Sequence, residues 1–151
     1  MFKLAILSVA IVSVAAHLPA LNTVQDARLQ ANSLLRCWEP MDEKNPSAGY
    51  ALSEPLYTLC SYMPDPKEYE KFYVNGVDES SDDYTNIYKM FTDVAERHAV
   101  LNVCLQEGFQ FHAETHPSQI SLRCLCKRDG CNVPKHLLTF LDYNKKIIPQ
   151  H

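Results

Sequence analysis

The sequence predicts a mainly β, disulfide-rich domain, in which an antiparallel sheet carries one inserted central helix, so that the fold is α+β overall. Three observations support this prediction. Six cysteines follow a segment typical of an export signal, apolar residues alternate with polar ones through much of residues 100–126, and residues 82–97 show helical periodicity. A chain of 151 residues suits a single domain with its own hydrophobic core.

The N-terminal segment indicates export. Lys3 precedes an apolar run over residues 4–16, and Val14 and Ala16 place small residues at the two positions that signal peptidase reads. The run has about 13 residues, whereas a membrane-spanning helix needs roughly 20. We therefore expect residues 1–16 to be a cleaved signal peptide and the mature protein to be secreted and extracellular, without a membrane anchor.

The cysteines are expected to form disulfides. All six lie after the signal peptide, and an even number in an oxidising compartment favours bridges over thiol chemistry. Six cysteines allow 15 pairings, so proximity in the predicted strands and turns has to choose among them. Asp129-Gly130 is a turn signal that brings Cys126 and Cys131 within reach of each other. The predicted bridges are Cys37–Cys60, Cys104–Cys124 and Cys126–Cys131.

The charge balance limits the possible partners. The net charge is −4 for the whole chain, and removing Lys3 with the signal peptide makes it one unit more negative. Such a balance gives no attraction to nucleic acid or to anionic membranes. The four glycines are too scattered for a phosphate-binding loop. We therefore expect no cofactor and no nucleic-acid partner.

The first half of the mature chain reads as short strands between loops. Residues 17–33 are predicted to form an N-terminal arm or a short helix, after which a single disulfide-rich domain covers residues 34–142. Proline and glycine punctuate a loop from Glu39 to Gly49. The strand predicted over residues 69–74 ends at Asn75-Gly76, a turn signal. The strands predicted in this half cover residues 34–38, 56–62 and 69–74.

The middle of the chain predicts an amphipathic helix over residues 82–97. Ser80 and Ser81 offer cap residues, and Arg97 and His98 place positive charge near the end. Burial of its apolar face against the sheet is favoured over a binding role. That face carries Tyr84, Ile87, Tyr88, Phe91, Val94 and Ala95.

From residue 100 the apolar period changes to two, which predicts a half-buried strand over residues 100–111. Glu107 is the one charged residue on its apolar side. Residues 119–126 are predicted to be the antiparallel partner strand, and residues 112–118 the exposed loop between them. Residues 143–151 are predicted to be a polar tail.

The end of the domain resembles a known family. Cys124 and Cys126 are followed by a short loop with an aspartate and then by Cys131-Asn132. This ending resembles that of the three-finger superfamily, which includes snake neurotoxins, lymphocyte-antigen and urokinase-receptor domains, and small secreted nematode proteins with the same Cys-x-Cys-x4-Cys-Asn ending. Leu35 and Trp38 around the first cysteine match the opening of the family. The resemblance implies a three-finger-like sheet in which Asn132 hydrogen-bonds backbone near the first strand.

Two enzymatic interpretations are less favoured than simpler structural ones. The simpler interpretation is a polar loop in the first case and disulfide bonds in the second. Residues 112–116 superficially resemble a zinc-protease motif, but the glutamate is central and Pro117 disfavours helix at His116. A zinc cluster of Cys124, Cys126, Cys131 and His136 competes with oxidation in a secreted chain. We expect no catalytic and no metal-binding residue.

These features predict a non-enzymatic binding or signalling protein that presents loops from a disulfide-pinned sheet to an extracellular protein. The alternatives are a secreted enzyme or enzyme inhibitor on a divergent scaffold, and a lipid carrier that uses the helix–sheet interface. The candidate partner-binding residues are His112, Glu114 and His116 in the hairpin loop, and Tyr69, Tyr73 and Tyr84 in the aromatic, acidic segment.

Overall fold

The computed structural model describes residues 24–68, 70–80, 84–110 and 118–145. The predicted signal peptide and residues 17–23 lie outside these ranges, as does the part of the predicted tail beyond residue 145. The elements in chain order are α1 (Val24–Gln30), β1 (Trp38–Pro40), a 3-10 turn (Pro46–Ala48), β2 (Tyr50–Leu52), β3 (Leu59–Pro64), β4 (Phe72–Val77), α2 (Thr85–Thr92), β5 (Asn102–Phe109), β6 (Gln119–Cys126) and α3 (Leu137–Lys145).

The strands form two antiparallel sheets, so the prediction of a mainly β, antiparallel fold is confirmed. β1 pairs with β2, and the larger sheet has the order β4-β3-β6-β5. The pairs β1–β2, β3–β4 and β5–β6 are antiparallel hairpins. The two hairpins of the larger sheet are joined where Cys60 of β3 pairs with Cys126 of β6.

The structure contains the three predicted disulfides, Cys37–Cys60, Cys104–Cys124 and Cys126–Cys131. Cys104 and Cys124 lie directly opposite each other on β5 and β6. The other four cysteines are buried in one core cluster together with Leu35, and Tyr57 packs against that cluster. The Cys37–Cys60 and Cys126–Cys131 disulfides are therefore part of the core at the base of the hairpins.

The loop between Cys126 and Cys131 closes onto the start of the domain. Asp129 accepts hydrogen bonds from the backbone N–H of Arg36 at 2.6 Å and from its Nε at 2.9 Å. The N–H of Gly130 donates to the carbonyl of Arg36 at 2.7 Å. Gly130 has a φ of 64°, which glycine adopts at little cost. The turn predicted at these two residues is confirmed.

Asn132 makes the backbone contacts that the family resemblance implied. Its Oδ1 accepts the N–H of Trp38 at 2.9 Å, and its Nδ2 donates to the carbonyls of Trp38 at 3.0 Å and Ser61 at 3.1 Å. The side chain is fully buried. Because Trp38 begins β1 and Ser61 lies in β3, Asn132 connects the small sheet to the large one.

The central helix packs on the sheet as predicted but is shorter than predicted. Phe91 is buried in a cluster with residues of β3, β4 and β6, and Tyr84, Ile87 and Tyr88 pack against it. α2 ends at Thr92, whose hydroxyl donates to the carbonyl of Tyr88 at 3.3 Å. A threonine bonded in this way weakens a helix end. The predicted residues 93–97 therefore lie outside the helix, and residues 82–83 outside the described ranges.

The strand boundaries in the first half differ from the prediction. Only Trp38 of the first predicted strand lies in β1, and Leu35 forms an isolated bridge to Tyr57. β4 continues through Asn75 and Gly76, where the sequence predicted a turn. The reason is tertiary: Asn75 pairs with Ser61 and Gly76 with Cys60, so the neighbouring strand overrides the local turn preference.

The N-terminal arm contains the short helix α1, which packs on the domain. Ala27 and Ala31 are buried. The guanidinium of Arg28 donates to the carbonyl of Ala95 at 2.8 Å, and the hydroxyl of Tyr88 donates to the carbonyl of Ala31 at 3.2 Å. The arm is therefore joined to α2 and to the loop that follows it.

The sequence did not predict α3. Phe140 of this helix is fully buried and stacks on Tyr62 with 3.9 Å between ring centroids. The helix includes the first three residues of the predicted polar tail. Asn144, one of those three residues, is buried. Its polar groups are satisfied there, since its amide donates to the carbonyl of Cys131 at 3.1 Å and its oxygen accepts from the Arg128 guanidinium.

Lys127 is a buried lysine held by backbone carbonyls. Its Nζ donates to the carbonyl of Ser33 at 3.1 Å and to that of Thr58 at 2.9 Å, and it lies 5.2 Å from the centre of the Tyr88 ring. Burial lowers the pKa of Lys127 to about 8. A lysine in the unfolded chain keeps its proton to about pH 10.

This difference predicts that the protein becomes more stable between pH 8 and pH 10. In that window the folded chain has lost the Lys127 proton and the unfolded chain has not, so the free energy of unfolding rises with pH. We expect an increase of roughly 2 kcal/mol between pH 7.5 and 9.5, measured by urea unfolding. The Lys127→Met variant should give a flat profile, and an equal rise in that variant would contradict the assignment.

The same curve should turn over at higher pH. Burial raises the pKa of Tyr62 to about 12, and the hydrogen bond to Glu39 raises the pKa of Tyr57 to about 12. A tyrosine in the unfolded chain ionises near pH 10. Above that pH the unfolded state loses these protons first, so the free energy of unfolding should fall.

Candidate functional site

The end of β3 and the start of β6 lie at the same end of the larger sheet. Tyr62 of β3 pairs with Cys124 of β6, and the strands run in opposite directions, so the end of β3 lies beside the start of β6. The turn after Pro64 and the start of β6 at Gln119 therefore share one end. The core that holds the Cys37–Cys60 and Cys126–Cys131 disulfides lies at the opposite end. We call the end with the turn after Pro64 the sheet tip.

The side chain of Asp65 hydrogen-bonds the start of the turn between β3 and β4. Asp65 Oδ1 accepts the backbone N–H groups of Lys67 at 2.8 Å and Glu68 at 3.0 Å. These bonds lower the pKa of Asp65, because they favour its charged form. The N–H of Asp65 donates to the carbonyl of Lys71 at 2.9 Å, which closes the turn.

Tyr73 projects from β4 beside this turn, and 51% of its surface is exposed. It lines two depressions. The first, which we call the tip groove, has a volume of about 430 Å³ and is lined by Asp65, Pro66, Lys67, Tyr73, Gln119 and Ile120. The second, which we call the edge groove, has a volume of about 360 Å³ and is lined by Pro40, Glu43, Tyr50, Phe72, Tyr73, Val74 and Asn75.

The tip groove also carries an exposed aliphatic side chain. Ile120 lies near the start of β6 and is 60% exposed. Only residues 124–126 of β6 pair with β3, so the first residues of β6 extend past the end of β3. Tyr73 and Ile120 are thus a large aromatic and a large aliphatic group that line one groove, with Asp65 and Lys67 supplying both signs of charge.

The structure separates the candidates that the sequence grouped together. Tyr73 lies at the sheet tip, whereas Tyr84 packs against the core cluster under α2 and has the Arg123 guanidinium 5.4 Å from its ring centre. The other four candidates lie outside the described residues. These are Tyr69, His112, Glu114 and His116.

Sequence reasoning missed Asp65, Lys67 and Ile120 as part of the site. The aspartate between two prolines was a signal for a rigid turn. Ile120 carried no local signal, since it continues the alternation of β6, and its place beyond the end of β3 follows only from the pairing of the strands.

Among the described residues, no group of three or more histidine, cysteine or acidic side chains is arranged to hold a metal ion. The residues of the zinc-protease alternative, 112–116, lie outside those ranges. No helix in the described part of the chain has the length and apolar character needed to cross a membrane.

Comparisons with known proteins place the chain in a family without assigning a function. It is 61% identical over 129 residues to the uncharacterized protein C02B8.3 of Caenorhabditis elegans, covering 85% of this chain and 97% of that protein. It is 47% identical over 49 residues to the uncharacterized protein C02B8.7 of the same organism, covering 32% of this chain and 94% of that protein. No solved structure matches the chain. A family model matches residues 22–145, which include every described element, and the chain belongs to that family of unknown function (DUF5354).

Proposed function

We propose that the protein is a secreted, non-enzymatic binding or signalling protein that uses the sheet tip to bind an extracellular protein. The observation that carries the proposal is Tyr73, an exposed aromatic residue between two grooves on a hairpin whose turn is fixed by Asp65. Exposed tyrosines in a concave surface are typical anchors of protein interfaces.

The hydrogen bonds of the turn after Pro64 support binding to a protein. Binding a partner costs free energy when loops and side chains have to be ordered, and a turn that is already hydrogen-bonded avoids part of that cost. The turn after Pro64 is held by hydrogen bonds of Asp65 and by the ion pair of Lys71 with Glu68, at 2.9 Å. The exposed Ile120 adds to the apolar centre of the tip groove, and charged residues of both signs form the rim of that groove.

The proposal includes residues 112–118. In the sequence they follow β5 and lead into β6, whose start lies at the sheet tip. His112, Glu114 and His116 therefore remain candidate contact residues together with Tyr73. Tyr84 is excluded from this surface by its packing under α2.

A three-finger-like arrangement is part of the proposal. Three consecutive hairpins extend from a core that contains the Cys37–Cys60 and Cys126–Cys131 bridges. Asn132 binds the backbone of the first strand, which is the role the resemblance implied. Secretion is supported by three disulfides in a small domain, since such bridges persist in oxidising compartments.

The test is a partner capture with the mature chain, residues 17–151, as bait in native extracellular fluid. The affinity of any saturable partner is then measured with purified components. Tyr73→Ala should weaken binding about tenfold or more and lower the melting temperature only slightly, because half of the side chain is already exposed. The triple variant His112→Ala, Glu114→Ala, His116→Ala should also weaken binding.

Tyr143→Ala is the matched control. Tyr143 is 46% exposed, similar to Tyr73, but lies on α3 away from the sheet tip. Its replacement should leave affinity unchanged. Equal affinity of the Tyr73→Ala variant and the wild type would contradict the proposed surface, and a saturable small substrate turned over by the pure protein would favour the enzyme alternative.

A further inference from the structure

A further cavity, distinct from the tip groove and the edge groove, lies where the first turn of α2 covers the start of β3 and the end of β4. Its volume is about 150 Å³. An apolar protein cavity of that size holds a molecule as large as benzene. The lining residues are Thr58, Leu59, Asp78, Glu79, Tyr84, Thr85 and Tyr88.

The aromatic walls of this cavity already attract cations of the chain itself. The guanidinium carbon of Arg123 lies 5.4 Å from the centre of the Tyr84 ring, and Lys127 Nζ lies 5.2 Å from that of Tyr88. Both distances are within the range of a cation–π interaction. Arg123 is paired with Glu107 at 3.0 Å, and Lys127 is held by two carbonyls. The charge of Arg123 is therefore paired before any ligand enters, and that of Lys127 is stabilised by the dipoles of the two carbonyls.

The charged groups that line the cavity are carboxylates. Asp78 and Glu79 are exposed at its edge, and the described lining includes no lysine or arginine. Asp78 is fixed there because its Oδ1 accepts hydrogen bonds from the backbone N–H of Ser80 at 3.0 Å and from the Ser80 hydroxyl at 2.6 Å. An anionic ligand would be repelled by this edge, whereas a cation would be attracted to it and to the ring faces.

We propose that this cavity binds an organic ammonium group, with Tyr84 and Tyr88 as aromatic walls and Asp78 and Glu79 as counter-charges. The size of the cavity suits one ammonium group with its attached methyl or methylene carbons. Such a group has two sources, a free quaternary ammonium molecule or the end of a lysine side chain on another protein. The site is independent of the sheet tip, so its failure would leave the proposed function untouched.

The experiment titrates the mature wild-type protein with matched pairs of ligands and follows binding by calorimetry and by chemical shifts. Choline is compared with its neutral isostere 3,3-dimethylbutan-1-ol, and N-acetyl-lysine methylamide with N-acetyl-norleucine methylamide. At least one charged ligand should bind about fivefold or more tightly than its neutral partner. Whichever pair shows this difference identifies the source. Equal binding of both members in both pairs, or no binding by any ligand, would overturn the proposal.

Two variants locate the site. Glu79→Gln keeps the shape of an exposed side chain and removes its charge, so ammonium affinity should fall about threefold or more without a change in melting temperature. Tyr84→Leu should reduce it further. Glu54→Gln, at an exposed glutamate that does not line the cavity, should leave the affinity unchanged. If Tyr84→Leu fails to fold, Glu79→Gln decides, and an unchanged affinity in that variant would overturn the proposal.

Discussion

Asn132→Ala is expected to lower the free energy of unfolding by about 3 kcal/mol, one of the two largest effects of a single substitution that we predict. The variant would leave the N–H and carbonyl of Trp38 and the carbonyl of Ser61 without their side-chain partner. Asn132 is fully buried, so water does not replace the lost bonds freely. Urea unfolding of the purified mature protein, with its disulfides intact, measures the loss.

Two further variants separate the hydrogen bonds from the volume of the side chain. Asn132→Asp preserves the shape and the acceptor for the Trp38 N–H, but it places a carboxylate against the carbonyls of Trp38 and Ser61. It should therefore be no more stable than the alanine variant. Asn86→Ala, at an exposed position of α2, should change stability by less than about 0.5 kcal/mol. A loss of that small size at Asn132 would show that its bonds do not stabilise the fold.

The parts of the fold that were predicted correctly depend on neighbours in the sequence. The bridge between Cys126 and Cys131 follows from the Asp129-Gly130 turn, and the Cys104–Cys124 bridge follows from a hairpin with a clear period of two. Once these pairs are assigned, only one bridge remains. The burial of the α2 face followed in the same way from its helical spacing.

The parts that were missed depend on contacts between distant segments. α3 has few local helix signals, and it is held by Phe140 stacking on Tyr62, 78 positions earlier in the chain, and by Asn144 binding the Cys131 carbonyl. No local pattern reports such contacts.

In the candidate site, too, the features set by neighbouring residues were predicted and those set by distant contacts were missed. The aromatic segment was a reasonable source of exposed tyrosines, and Tyr73 is exposed. Tyr73 and Ile120 line the same groove because the first residues of β6 extend past the end of β3. Only the register between these two strands determines that offset. Tyr84 and Tyr88 were predicted on the buried face of the helix, and their packing agrees, although Tyr84 was also predicted to bind a partner. The cavity between them and Asp78 arises from how α2 sits on the start of β3 and the end of β4.

Gly76→Ala is expected to destabilise the protein by about 3 kcal/mol or more. Gly76 lies in β4, where a Cβ atom would fall on the Tyr57 ring, well under 3.0 Å from its atoms. The ring has little room to move, because its hydroxyl donates to Glu39 at 2.6 Å and its face packs on the disulfide cluster. The residue that the sequence suggested for a turn is thus required for the close approach of a side chain.

Gly108→Ala is the matched control, because Gly108 is also a strand glycine but has no atom within 4 Å of the position of an added Cβ. It should be neutral or slightly stabilising, since alanine restricts the unfolded chain. Tyr57→Leu will cost stability by itself, but combined with Gly76→Ala the loss should be clearly smaller than the sum of the two single losses, because the smaller side chain removes the clash. Strict additivity in this double-mutant cycle, measured by urea unfolding, would mean that Tyr57 is not what makes glycine necessary at this position.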